Sequence, residues 1–415
     1  MKKILFFLNN RKNFISFSLL RLGATILGLV SNIFIVRKLS VEDFGIFSLA
    51  LTVISLFTTL GFSWSSSSIL YYGSKEKAKY NSINKTFWSR NIIIFVSLII
   101  VTIGFILFRN QINSYIGLDI WFLLLLWLYV SVIEDYLNQY FLAVKKQITS
   151  TMLSFTAKIF YIILISLVPF DVPTLVILNI VSLSSIIFYT LSINRKDISK
   201  FEFDKPWFKE VLNFSLWQLF GFAGVYLINF GDVAVIKYYM TNKDVGIYNA
   251  AYQLFMGVTG FANIISNYYA GTVSENFASN NKENIKQFYY KERLYIFAIS
   301  IVGHIVLLIF SKYIILTIYG EKYIESVIIL NILLIGSMIR FLERFYMLYY
   351  NTNRKYKLQQ TINIFRAVFN VVLSIILIQF MGLIGPAVAT TVVFIITFLF
   401  SVFYCEKRIS LFIKD

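Results

Sequence analysis

The chain has 415 residues, of which 58% are hydrophobic and 14% charged, with a formal net charge of +17. A globular domain keeps about a quarter of its residues charged, so this composition excludes one water-soluble core and indicates a polytopic membrane protein. The single Cys405 excludes an intramolecular disulfide and a thiolate metal cluster, and the single His304, inside an apolar run, reads as a packed or lumen-lining histidine rather than a metal ligand.

Taken in order, twelve apolar runs are long enough to cross a hydrocarbon core of about 30 Å as helices: 13–36, 43–70, 87–108, 119–142, 151–169, 173–193, 207–236, 245–270, 293–311, 323–349, 358–379 and 383–404. The runs are continuous rather than alternating, and an open sheet edge in lipid leaves its backbone unpaired, so the expected fold class is all-α. The first run is too long for a signal peptide and lacks a small-residue cleavage site, so it is expected to stay as a span.

Lys and Arg in the connecting segments set the orientation. One alternating set of segments, which includes Lys2, Lys3, Lys75, Lys77, Lys85, Arg90, Lys145, Arg195, Lys282, Arg354 and Lys407, carries 26 of these residues, and the opposite set carries 7. Both termini are therefore expected in the cytoplasm, and the basic charge is assigned to topology and anionic lipid rather than to nucleic acid. The outer segments are short, such as Phe170–Val172. That argues against a membrane glycosyltransferase or polymerase, which needs an extramembrane segment to hold acceptor and catalytic carboxylates.

The chain contains an internal echo. Residues 36–50, VRKLSVEDFGIFSLA, align with 237–251 at Asp43/Asp244, Gly45/Gly246, Ile46/Ile247 and Ala50/Ala251, with Leu39/Met240, Ser40/Thr241 and Phe47/Tyr248 as near matches. At a second offset Glu134 meets Glu343 and Lys145-Lys146 meets Arg354-Lys355, in the fourth and tenth spans. Two pseudo-symmetric six-helix bundles, 1–200 and 201–415, follow from this. Parallel repeats of this type recur among transporters, with the site near the midplane between the halves.

Five cations, Arg21, Lys158, Arg340, Arg344 and Arg366, and four acids, Glu134, Asp135, Asp232 and Glu343, fall inside the runs. Each charge at the bilayer centre costs about 2.5–3.5 kcal/mol on insertion scales, so such residues face a partner or a polar interior. Arg340, Glu343 and Arg344 stand at i, i+3 and i+4, which lets Glu343 pair with Arg340. Glu134 or Asp135 can likewise neutralise Lys158. Structural pairing ranks slightly ahead of ligand contact for Lys158, Glu134 and Asp135, whereas Arg21, with no acidic neighbour in its run, and Arg366 rank as the better ligand candidates. Arginine suits a phosphate because its planar fork donates paired hydrogen bonds and keeps its charge when desolvated. Trp217, Tyr226 and Tyr252 are flat enough to stack on sugars, although most of the 27 Tyr and 42 Phe must serve packing and interface belts.

No Gly-Lys dipeptide occurs, so ATP hydrolysis at a Walker A loop is excluded. No cofactor is expected; the driving force is an ion gradient, the membrane potential or downhill flow of substrate. Asp232, with only Lys237 at i+5, has two readings, as a site for a coupling Na⁺ or H⁺, or as an acid that snorkels outward, the second being slightly favoured.

The two six-span halves, the Gly231-Asp232 pair, VGIYNAAY at 245–252 and its echo EDFGIFSLA at 42–50 together resemble the Wzx-type polysaccharide flippases of the multidrug/oligosaccharidyl-lipid/polysaccharide exporter superfamily. The resemblance implies a transporter rather than an enzyme, resident in a bacterial cytoplasmic membrane. It implies two bundles in a V around a cationic cavity, moving an undecaprenyl-pyrophosphate-linked oligosaccharide from the inner to the outer leaflet for surface polysaccharide such as O-antigen or lipopolysaccharide. Its partners would be the lipid-linked oligosaccharide, membrane lipids and other polysaccharide-assembly membrane proteins. Arg21 matches the general placement of a cavity arginine in that family, with Arg366, Arg340, Arg344 and Lys158 as further cavity cations and Asp232, Glu134, Asp135 and Glu343 as charge partners or coupling-ion candidates. The near balance of acids and bases departs from an all-cationic cavity. An ion-coupled multidrug antiporter of the same superfamily is the alternative; it calls for an acid-dominated cavity. Arg21→Ala is expected to reduce surface glycan with membrane abundance intact, measured by immunoblot of both. Disappearance of the protein would assign Arg21 a structural role, and Arg21→Lys separates fork geometry from charge.

Overall fold

The structure is a computed structural model that describes residues 12–194, 200–353 and 355–414. Lys2, Lys3, Arg11, Arg195, Lys196 and Arg354, used above for orientation, lie outside the described residues. The helices are α1 (Lys12–Lys38), α2 (Val41–Gly61), α3 (Ser66–Tyr80), α4 (Asn84–Leu107), α5 (Arg109–Ile116), α6 (Trp121–Ala143), α7 (Gln147–Leu167) and α8 (Val172–Ile193). They continue with α9 (Lys205–Tyr239), α10 (Asn242–Ala278), α11 (Lys282–Gln287), α12 (Arg293–Ile318), α13 (Ser326–Thr352), α14 (Tyr356–Met381) and α15 (Gly385–Lys414). Among the described residues there is no strand, as expected where lipid offers the backbone no partner.

Among the described residues ten stretches are long and apolar enough to cross a membrane, and three of them, Val41–Tyr80, Lys282–Ile318 and Lys357–Ile413, each run through two helices. The protein is an all-α polytopic membrane protein. Each of the twelve expected runs falls on one long helix, the second being broken at Phe62 between α2 and α3. Between the eighth and ninth runs the chain stays helical: α10 continues to Ala278, and α11 and a π turn over Phe288–Glu292 carry the chain on to α12.

Local chemistry explains where these helices begin. Ser40 caps α2: the Asp43 N–H donates to Ser40 Oγ at 3.0 Å, and Ser40 Oγ donates to Asp43 Oδ2 at 2.7 Å. Thr241 caps α10 in the same way, with Asp244 returning to the Thr241 N–H at 3.0 Å in a capping box. The Ser40/Thr241 and Asp43/Asp244 correspondence read from sequence is thus one device used twice. Asp171 caps α8 by accepting from the Thr174 N–H at 2.9 Å, and those bonds hold its carboxyl below the usual range. Glu76 of α3 is 1% exposed and accepts from the Lys85 and Thr86 N–H groups, so a buried carboxylate covers the N-terminal end of α4. Asp204, just before α9, accepts a hydrogen bond from Lys85 Nζ at 2.8 Å and lies below the ordinary carboxylate range chiefly for that reason.

The chain divides into two compact units, Met1–Ala223 and Gly224–Asp415, and the division falls inside α9. In the first unit α6 packs against α3, α7 and α8, and in the second α13 packs against α10, α12 and α15. These two central helices are the fourth and tenth runs of the sequence, the pair that carries Glu134 and Glu343. The core of the second unit is rich in aromatics, with Tyr289 and Tyr350 each 0% exposed and Phe345 1%. α14 and α15 approach closely where they join: a Cβ on Gly385 would lie 2.6 Å from the Ile378 N and the Leu377 C atoms. Thr241→Ala should destabilise the purified protein by about 1 kcal/mol, the value of one cap. Gly385→Ala, which forces backbone apart, should lower the thermal midpoint further, and a smaller effect at Gly385 than at Thr241 would contradict the packing.

Candidate functional site

The second unit holds two buried polar clusters. The first centres on Glu343 of α13, which is 0% exposed and carries two arginines. Arg340 Nη1 reaches Glu343 Oε2 at 2.9 Å, and Arg366 Nη2, from α14, donates to Glu343 Oε1. Arg366 also donates to Thr397 Oγ1 of α15 at 3.2 Å and to Asn363 Oδ1 at 3.3 Å. Both guanidiniums lie against the Phe394 ring, with Cζ 5.2 Å from its centroid for Arg340 and 5.7 Å for Arg366. Arg344 follows Glu343 directly on α13. The Nε atoms of Arg344 and Arg366 are buried without a hydrogen-bond partner. Two guanidiniums thus share one carboxylate with a third, Arg344, beside them on α13, which leaves a surplus of two positive charges and unused donors, the combination an anion satisfies.

The second cluster surrounds Asp232 of α9. The outward-snorkelling reading is corrected here: Asp232 is 3% exposed. Its carboxylate accepts from four neutral donors, Tyr248 Oη at 2.5 Å, Thr390 Oγ1 at 2.7 Å, Asn370 Nδ2 at 2.9 Å and Ser374 Oγ at 3.0 Å. Thr390 also donates to Asn370 Oδ1 at 3.2 Å. Among the described residues Asp232 has no ion-pair partner; Lys237 turns instead to Asn242 Oδ1 at 2.6 Å. The carboxylate and the three hydroxyl oxygens around it, of Tyr248, Ser374 and Thr390, are hard oxygen donors of the kind that small hard cations take. Among the described residues no group of three His, Cys, Asp or Glu side chains is placed to hold a metal ion.

The first unit arranges its charges differently from the sequence expectation. Asp135 does not neutralise Lys158; it lies 3.8 Å from Arg90 Nη2 and accepts from Ser66 Oγ at 3.2 Å. Glu134 does not either, accepting instead from Ser154 Oγ at 2.7 Å and Asn138 Nδ2 at 3.3 Å. The reason is geometric: α7 presents Ser154, one turn before Lys158, to Glu134. Lys158 reaches toward α1, with its Nζ 3.3 Å from where a Cβ on Gly28 would sit, and among the described residues it makes no ion pair. Arg21 is exposed on α1 and rests over the Phe17 ring at 5.8 Å. The structure therefore brings Arg340, Arg344, Arg366 and Glu343 together, and among the described residues Arg21 and Lys158 in the other unit have no acidic partner.

Arg90 was grouped with the cytoplasmic connector, and the structure corrects that. It is 1% exposed within α4, over the Tyr136 ring at 4.8 Å, with Nε and Nη1 unpaired. The Asp232 donors were also missed by sequence reasoning. A signal was present: Arg366, Asn370 and Ser374 stand at i, i+4 and i+8 in an otherwise apolar run, a polar stripe on one helical face. Of the aromatics, Tyr252 is buried and stacked on Tyr248 at 6.0 Å, Tyr226 stacks on Phe230 at 5.5 Å, and Trp217 is 79% exposed. His304 is packed, with Nε2 2.7 Å from Ser337 Oγ and Nδ1 2.7 Å from the Ser300 carbonyl. Cys405 is free and buried.

Two family models match the chain: one described as polysaccharide biosynthesis protein, over residues 11–270, and one described as lipid II flippase MurJ, over residues 180–415. A curated relative, described as the probable low-salt glycan biosynthesis flippase Agl15 of Haloferax volcanii, is 23% identical over 225 residues, 50% of this chain and 44% of that protein. The match thus spans less than half the length of the relative. Among solved structures, a lipid II flippase MurJ in an inward closed conformation superposes with a TM-score of 0.76 at 18% identity, covering 94% of this chain and 87% of that one. An inward-facing multidrug resistance MATE family transporter of the MOP superfamily gives 0.71 at 17% identity, over 96% and 99%. A MOP superfamily transporter from Pyrococcus furiosus gives 0.64 at 14% identity, over 98% and 97%. At these identities the structural likeness concerns the fold.

Removing one member of a buried ion pair leaves an uncompensated charge and costs about 3–5 kcal/mol. Glu343→Ala should therefore lower the thermal midpoint sharply, while adding Arg366→Met to it should recover most of the loss. Equal stability of the single and double variants would show that Glu343 does not hold Arg366.

Proposed function

Since the chain belongs to the polysaccharide biosynthesis protein family and, over residues 180–415, to the lipid II flippase MurJ family, making it a flippase of the MOP superfamily, we propose that its substrate is an undecaprenyl-pyrophosphate-linked oligosaccharide. It moves this repeat unit from the inner to the outer leaflet of a bacterial cytoplasmic membrane by alternating access, for surface polysaccharide of the O-antigen or lipopolysaccharide kind. Both termini lie in the cytoplasm. The protein works as a transporter and catalyses no covalent step, and its partners are the lipid-linked oligosaccharide, membrane lipids and other polysaccharide-assembly membrane proteins. The observation that carries this reading is the charge surplus at Glu343, where Arg340, Arg344 and Arg366 outnumber one carboxylate and Arg344 and Arg366 keep free Nε donors. A pyrophosphate offers the planar, multiply charged acceptors that such forks bind in pairs. Arg21 and Lys158, without acidic partners among the described residues, are the first unit's own candidates for contact with an anionic headgroup.

Asp232 is the site for a coupling ion, Na⁺ or H⁺. Its four oxygen and amide partners are neutral, so the carboxylate charge is available to a small cation. This same acid favours the second reading, an ion-coupled multidrug antiporter, because coupling to an ion needs only such a site. The substrate separates the two.

Deletion of the gene should abolish surface glycan and accumulate lipid-linked repeat units, read by glycan immunoblot and by mass spectrometry of extracted lipids. Unchanged glycan together with increased drug sensitivity would replace the flippase reading with the antiporter.

A further inference from the structure

The Asp232 and Glu343 clusters share two helices, α14 and α15, and a third, α10, runs from one toward the other through its aromatic rings. On α14, Arg366 belongs to one cluster, and Asn370 and Ser374, one and two turns further on, belong to the other. On α15, Thr390 donates to Asp232, Phe394 four residues later lies under Arg340 and Arg366, and Thr397 accepts from Arg366. On α10, Tyr248 donates to Asp232 and begins a run of rings: Tyr248 to Tyr252 at 6.0 Å, Tyr252 to Phe255 at 5.4 Å, and Phe255 to Phe394 at 6.3 Å. The rings of Tyr248, Tyr252, Phe255 and Phe394 line the α10 path from the carboxylate to the guanidiniums, an apolar stretch across which charge at one end is weakly screened at the other.

We propose that the two clusters are a coupled pair in which a cation at Asp232 tightens the hold of Arg340, Arg344 and Arg366 on an anion. The inference rests on the reading of Asp232 as an ion site and of the arginines as the headgroup site. The sign follows from charge. With the cage empty, the Asp232 carboxylate repels an anion approaching Arg366, and it competes for the guanidinium field. A bound cation cancels that charge and removes both effects. One to two helical turns of α14 separate the groups, roughly 6–12 Å at 1.5 Å per residue. At an effective dielectric of about 20, a unit charge at the far end of that range changes anion affinity on the order of tenfold. Linkage makes the effect reciprocal: the anion must tighten the cation by the same factor. Ion and headgroup therefore load together rather than by displacement.

The test uses the full-length purified protein in detergent with inorganic pyrophosphate as probe. Its affinity is measured calorimetrically in sodium against choline at constant ionic strength, and again across pH at fixed sodium. Sodium, or acidification if the ion is H⁺, should tighten pyrophosphate about tenfold in the unaltered protein. Asp232→Asn, which resembles a neutralised cage, should bind pyrophosphate in choline as tightly as the sodium-saturated protein and lose the ion dependence. A purely structural Asp232 would instead weaken binding on substitution. If Asp232→Asn does not yield monodisperse protein, Ser374→Ala serves: it should raise the sodium needed for half the effect and leave the limiting pyrophosphate affinity unchanged. Pyrophosphate binding that ignores or is weakened by both ions overturns the coupling and leaves the flippase reading standing. Absence of pyrophosphate binding in the unaltered protein overturns both.

Discussion

The arrangement of the second unit depends on one interaction, the capture of Arg366 and Arg340 by the fully buried Glu343. Taking a carboxylate and two guanidiniums out of water costs several kcal/mol per ion, and mutual attraction repays this only when geometry and further hydrogen bonds are good. Here the further bonds come from Thr397 and Asn363, and a ring face comes from Phe394. The result ties α13, α14 and α15 together at the depth where each helix would otherwise be interchangeable apolar surface. Lipid tails are as apolar as leucine, so helix association in a membrane cannot rest on hydrophobic burial, and polar ties of this kind set which faces meet.

The first unit meets the same constraint with weaker means. Its central helix α6 carries Glu134 and Asp135 where α13 carries Glu343, but its carboxylates are shared among Ser154, Asn138, Ser66 and a distant Arg90. The first unit buries Arg90 and Glu76 but leaves Arg21 at the surface of α1. The two units differ in what their central helices hold. The capping device at Ser40/Asp43 and Thr241/Asp244 survives in both because it serves each helix locally, whatever the interior contains.

How much was legible in the sequence follows from the range of each interaction. Helix positions were legible because a run of about 20 apolar residues has one stable form in lipid. The Arg340–Glu343 pair was legible because i, i+3 spacing brings its members together within one helix. The caps were legible for the same reason. Partners from different helices were not: that Asp232 of α9 would meet Asn370, Ser374 and Thr390 depends on rotations of three helices, which no local spacing determines. The assignment of Lys158 to Glu134 failed on one turn of register, since Ser154 occupies the place the lysine was given. Arg90 was misplaced because an arginine near a helix start usually reaches water, and here the Tyr136 ring and Asp135 draw it inward.

The account makes the second unit a charge device: a neutral-donor cage for a cation and an arginine cluster with free donors for an anion. Its central claim is that the anion is the headgroup of a lipid-linked glycan. The direct measurement is translocation in proteoliposomes of a fluorescent polyprenyl-pyrophosphate oligosaccharide, followed by its protection from an impermeant quencher, with the unaltered protein and with Arg366→Gln incorporated to equal amounts. The account predicts rapid loss of protection with the former and slow, lipid-only rates with the latter. Equal rates for the two proteins, or no acceleration over protein-free liposomes, would contradict it.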